Sequence, residues 1–74
     1  MPVTELALRG EHITLDALLK ATGLAGSGGA AKLVIAGGQV RVNDEVETRR
    51  GRKLRAGDRV QLGEQLVTVV PAPA

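Results

Sequence analysis

The segment "GLAGSGGAAK", Gly23 to Lys32, decides the fold. It has three competing readings: a flexible linker, a phosphate loop for a nucleotide, or a turn that seats a helix. The flanking segments discriminate. Upstream, "HITLDALLKATG" (12–23) reads as a helix, because Leu15, Leu18 and Leu19 fall at i, i+3 and i+4 and form one apolar stripe. Thr14 is its expected N-cap, Asp16 suits the positive end of the helix dipole, and Gly23 supplies a left-handed stop. Downstream, "SGGAAKLVIAGG" (27–38) reads as a second helix capped by Ser27 and stopped by Gly37 and Gly38. Ala31, Val34 and Ile35 repeat the same spacing, and Lys32 is the segment's only charge.

A linker does not fit between two helices so close in sequence. A phosphate loop needs GxxxxGK[ST], and no Gly-Lys-Ser or Gly-Lys-Thr follows. A dinucleotide fingerprint follows a strand, whereas this segment follows a helix. What remains is a capped helix start with bare backbone at Ser27, Gly28 and Gly29. Its outward N–H groups leave room for an anion such as phosphate.

Beyond Gly38 the apolar period changes to two. "QVRVNDEVET" reads as a hairpin with Asn43 and Asp44 at the tip. A two-residue loop would set Val42 opposite Glu45 and Arg41 opposite Val46. A three-residue loop sets Val42 opposite Val46, Val40 opposite Thr48 and Arg41 opposite Glu47. The second separates an apolar from a charged face and is the expected register. "LRAGDRVQLGEQLVTVV" holds two more strands, turning at Ala56-Gly57-Asp58 and at Gly63-Glu64. "PVTELALR" is an opening strand. The expected architecture is α+β, a helical pair on a small, mostly antiparallel sheet, with residues 1–70 as one domain and the "PAPA" of 71–74 as a disordered tail.

Composition narrows function. With 74 residues, no cysteine and no aromatic residue, the core rests on Leu, Val, Ile and Ala. Disulfides are impossible, and no apolar run approaches the roughly 18 residues of a membrane span, so a cytoplasmic location is expected. Net charge is only +2, yet seven of the ten basic residues lie from Arg41 onward, four of them in "RRGRK". Such clustering suggests a polyanionic partner. Without aromatic rings there is no base-stacking platform, which favours structured RNA over extended single strands.

Catalysis finds no support. His12 is the single histidine, Ser27 has no visible base, and the carboxylates of "NDEVE" sit at a hairpin tip. No ligand set for a metal or cofactor is present.

The order helix, Gly-rich turn, small-residue helix, then "GGQVRVNDEVETRRGRKLRAGDRVQL", resembles the S4 RNA-binding domain. The likeness runs from about Ile13 to Leu62 and rests on "LDALLKATGLAGS", "AAKLVIAGGQVRVN" and "LRAGDRVQL". In layout it is most like the stand-alone bacterial S4-like proteins of the YbcJ type. The resemblance implies an S4-like (alpha-L) fold, no enzymatic activity, no cofactor and a folded-RNA partner, often ribosomal or transfer RNA.

Carried over by position, the resemblance assigns RNA contacts to Ser27, Lys32, Asn43, Arg49, Arg50, Arg52 and Lys53. Gly28, Gly29 and Arg41 join them from the helix-start and charge arguments above. Many S4 domains carry Arg where this chain has Thr14 and Gly28, which shifts the expected burden onto the loop Arg49 to Lys53. A monomer with no membrane or small-molecule partner is expected. The alternative is a small protein-interaction adaptor, which predicts a contiguous exposed apolar patch. A sulfur carrier would end in Gly-Gly rather than "PAPA", and a DNA-reading helix would carry more than Lys32.

Overall fold

The computed structural model describes residues 3–72. Chain order is β1 (Val3–Ala7), β2 (Ile13–Thr14), α1 (Leu15–Ala21), α2 (Gly28–Ala36), β3 (Val40–Val42), β4 (Glu45–Val46), β5 (Lys53–Leu54), β6 (Arg59–Leu62) and β7 (Gln65–Val70). Met1, Pro2 and the last two residues of the expected 71–74 tail lie outside the described residues.

Five strands form one sheet in the order β1-β7-β6-β3-β4. All its pairings are antiparallel except β1 with β7, which run parallel from Val3 opposite Leu66 to Ala7 opposite Val70. The opening strand thus reaches its place only through a partner at the far end of the chain. One sheet face carries Val40, Val42, Val60, Val67 and Val69, all buried. Leu15, Leu18 and Leu19 of α1 and Ala31 and Ile35 of α2 close the core from above. Each buried Leu or Val contributes about 1.5–3 kcal/mol of transfer free energy. Small residues at Ala25 and Ala31 are buried where the two helices meet.

Two sequence expectations are corrected. The first is the lead-in to α1: the helix begins at Leu15, directly after Thr14, its expected N-cap, but the residues ahead of it are not helical. Ile13 and Thr14 pair instead with Leu54 and Lys53 in a two-stranded ladder, so β5 is a strand that apolar alternation does not reveal. The second is the hairpin register. Arg41 faces Val46 and Val42 faces Glu45, which is the two-residue loop. Asn43 and Asp44 both take left-handed backbone, with φ of 52° and 70°, as a type I′ turn requires. The cost expected from that register does not arise. β4 is a two-residue edge strand, so Val46 stays exposed on the solvent face, while Glu47 turns inward next to Val40.

Candidate nucleic-acid interface

A helix begins with N–H groups that have no partner inside the helix. At α1 the expected cap, Thr14, stands in the extended N-cap conformation but makes no side-chain cap bond. The basic loop does this work. The Leu15 N–H donates to the Arg52 carbonyl at 2.9 Å, and the Asp16 N–H donates to the Arg50 carbonyl at 3.1 Å. Together with the Thr14–Lys53 pairing, these bonds strap residues 50–53 across the N-terminus of α1. With the loop carbonyls turned to the helix, Arg50 and Lys53 keep exposed side chains that have no ion-pair partner among the described residues.

Glu47 anchors the other end of the loop. It is 6% exposed, the one buried charged residue of the described chain. Its carboxylate accepts from the Arg49 backbone N–H at 3.1 Å, from Arg49 Nε at 3.1 Å and Nη2 at 3.0 Å, and from Arg52 Nη1 at 2.9 Å. The Arg49 guanidinium hydrogen bonds, reinforced by Arg52 and outweighing burial, hold the carboxyl down to about 2. Glu47 is absent from the residues that sequence reasoning assigned to the site. The one available signal was a carboxylate two residues before "RRGRK", and the expected register turned it towards solvent.

The start of α2 follows expectation in its geometry. Ser27 Oγ accepts from the Ala30 N–H at 3.1 Å, and Ser27, Gly28 and Gly29 are exposed. Lys20, in the last turn of α1, runs beside them: a Cβ at Gly28 would meet only the Lys20 Cδ, at 4.0 Å. Lys20 is therefore a cation at the position where the family's Arg would begin. Asp16 lies between the two basic ends of α1. A hydrogen bond from Thr14 lowers its pKa most, and the charges of Lys20 and Arg50 act in the same direction.

Other predicted residues stand apart. Both polar atoms of the Asn43 amide are used internally: Nδ2 donates to Asp58 Oδ1 at 3.0 Å, and Oδ1 accepts from the Arg59 N–H at 3.0 Å. Asp58 also accepts from the Arg55 N–H at 2.8 Å, closing a turn whose third residue, Gly57, has φ of +96°, a region L side chains rarely enter. Asn43 and the Gly-Asp pair are thus two halves of one bolt. Arg41 alternates with the buried Val40 and Val42, so it lies on the open face of the sheet, away from the helices. Lys32 is exposed on α2.

A hollow of about 560 Å3 lies between β1 and α1 and is lined by Leu6, Leu8, Ile13 and Ala17, together with Arg9 and His12. His12 is exposed and has no hydrogen-bond partner among the described residues, so this hollow holds no acid–base pair.

A helical pair on one sheet face, its first helix capped by a basic loop, is the layout of an S4-type RNA-binding domain. The chain belongs to the S4 domain family, whose model matches residues 6–70. It is 46% identical over 59 residues to the "Putative RNA-binding protein YbcJ" of Escherichia coli (strain K12), spanning 80% of this chain and 84% of that protein. It is 48% identical over 52 residues to the "Probable ribosome maturation protein RlbA" of Bacillus subtilis (strain 168), spanning 70% and 73%. The solution structure of E. coli YbcJ, described as revealing an alpha-L motif involved in RNA binding, matches with a TM-score of 0.67 at 41% identity, over 95% of this chain and 87% of that one. The S4-like α+β fold read from the sequence is the fold observed.

Proposed function

We propose that this domain binds structured RNA, without catalysis, through α1, the start of α2 and the loop Arg49–Lys53. The observation that carries this reading is the strap. Backbone bonds from Leu15 and Asp16 tie the loop to the helix, so Arg50 and Lys53 share a rigid surface with the helical pair. Phosphates at fixed spacing are the ligand for such a surface, and the chain has no aromatic residue to favour an unpaired strand. The name of the B. subtilis relative directs the reading towards ribosomal RNA, with transfer RNA the second folded class. Under this reading the protein acts as a monomer in the cytoplasm, and no helix among the described residues is long and apolar enough to cross a membrane.

The adaptor alternative has less support. Among the described residues the exposed large apolar side chains are Val3, Leu33 and Val46. Val3 and Val46 lie on the opposite edge strands β1 and β4, about 19 Å apart at the usual strand spacing, and Leu33 lies on α2. Val3 and Val46 therefore share no patch.

The test is affinity for a folded ribosomal RNA fragment against an unpaired strand of equal length, measured across salt concentrations. Tighter, salt-sensitive binding to the folded fragment is expected. Equal affinity for both would remove the structured-RNA reading, and no binding to either would remove RNA binding altogether.

A further inference from the structure

Arg49 is held at both ends by one carboxylate. Glu47 accepts from its backbone N–H and from two nitrogens of its guanidinium, Nε and Nη2, all at 3.0–3.1 Å. Yet the Arg49 side chain is 75% exposed, whereas that of Glu47 is 7% exposed. A guanidinium is a rigid planar fork. With one edge fixed on Glu47, its remaining donors, on Nη1 and the outer side of Nη2, are uncommitted.

Arg52 Nη1 closes at 2.9 Å on Glu47 Oε1, the oxygen that also takes Arg49 Nη2, and its side chain is only 31% exposed. Two guanidinium charges therefore surround one carboxylate, and the cluster stays net positive. An exposed ion pair between two mobile side chains contributes little. Here the carboxylate is buried, and the backbone contact fixes the geometry.

We infer that Glu47 is a positioning residue for RNA, holding Arg49 with its free guanidinium edge outward as a preformed phosphate fork. The inference rests on the proposal that this loop meets RNA. An unrestrained Arg must be ordered when it binds, and the Glu47 contacts remove most of that ordering from the binding step. Arg50 and Lys53 supply charge without such restraint, and Arg52 is held but mostly covered, so Arg49 is the well-exposed member of the loop whose geometry is set in advance.

The experiment is a double-mutant cycle on affinity for a folded ribosomal RNA fragment, with thermal melts alongside. Glu47→Gln is expected to weaken binding by about two- to tenfold, the range for freeing one rotamer-rich side chain. In an Arg49→Ala background, Glu47→Gln is expected to add no further loss. Arg49→Lys keeps the charge and loses the fork. It is expected to weaken binding as Glu47→Gln does while leaving the salt slope unchanged, and it decides the matter if Glu47→Gln does not fold. Wild-type affinity in Arg49→Lys, or an equal Glu47→Gln loss in both backgrounds, overturns the positioning role alone. Absence of RNA binding by the wild-type protein overturns the functional reading, and this inference with it.

Discussion

The Asn43 side-chain amide donates to Asp58 Oδ1 at 3.0 Å, joining two turns fifteen residues apart. The same amide accepts the Arg59 N–H, so both its polar atoms are engaged within the chain. Asn43→Gly keeps the left-handed backbone that φ of 52° demands and removes only the side chain. Its expected cost is about 1–2 kcal/mol for the lost bonds, which lowers the melting temperature by roughly 4–8 °C per kcal/mol in a domain of this size. RNA affinity measured well below the melt is expected to stay at the wild-type value. Weakened affinity with an unchanged melt would instead place the Asn43 amide on the RNA.

Glu47 makes stability pH-dependent with a definite sign. Its carboxyl is lowered from 4.5 to about 2 in the folded chain, chiefly by the Arg49 hydrogen bonds. A lowered folded value means that the contribution is complete above about pH 5 and is lost as pH falls towards 2. With partial screening through the exposed Arg49, that contribution is about 1–3 kcal/mol. Asp16 is also lowered, mainly by the Thr14 hydrogen bond. Asp58 is lowered too, its burial outweighed by the Arg55 N–H and the Asn43 amide. The informative quantity is therefore a difference: urea midpoints of wild type and Glu47→Gln from about pH 7 to about pH 2.5 should converge at the acid end. Parallel curves would show that the carboxylate contributes nothing through its charge.

The parts of the fold that show in the sequence are those set by neighbours in the chain. Leu15, Leu18 and Leu19 fix the buried face of α1 by spacing alone, and Val67 and Val69 fix that of β7 by alternation. Gly23, with φ of +77°, ends α1 where its freedom is needed. Contacts set by distant residues do not show. The parallel pairing of β1 with β7 and the two-residue ladder of β2 with β5 leave no periodic trace. The hairpin register failed for a specific reason. Alternation assumes that charged residues face water, and Glu47 faces inward because Arg49 and Arg52 neutralise it. In the site, the cluster "RRGRK" was visible as charge. Its division into the paired Arg49 and Arg52 and the unpaired Arg50 and Lys53 depends on a carboxylate whose direction required the fold. Lys20 escaped notice because Gly28, its neighbour, opens the next helix, and only the path of the turn between the helices brings the two together.

That division changes which substitutions test RNA contact. Reversing the charge of Arg49 also disrupts the Glu47 cluster, so Arg50→Ala with Lys53→Ala is the cleaner pair. Neither side chain has an ion-pair partner among the described residues, so the melt is expected to move little. Each lost phosphate contact lowers the slope of log affinity against log salt by about 0.7–0.9, and the pair by about twice that. A weaker affinity with an unaltered slope would mean that these residues act through the fold and not on phosphate.

A gain of binding is a sharper demand on the surface than a loss. Gly28 begins α2 with ordinary negative φ, and a side chain there meets only the Lys20 stem at 4.0 Å. Gly28→Arg restores the cation that many S4 domains carry at this position. The better helix propensity of Arg and the repulsion of its charge at a helix N-terminus act in opposite directions, so stability should change by no more than about 0.5 kcal/mol. If the start of α2 faces RNA, the added cation makes one more phosphate contact. Affinity then rises, and the salt slope steepens by about 0.7–0.9. The same RNA titration, repeated with Lys20→Ala, should lose a comparable increment, since Lys20 stands beside Gly28. If Gly28→Arg binds no more tightly and Lys20→Ala no more weakly, the helix start lies off the RNA, and the interface contracts to the loop from Arg49 to Lys53.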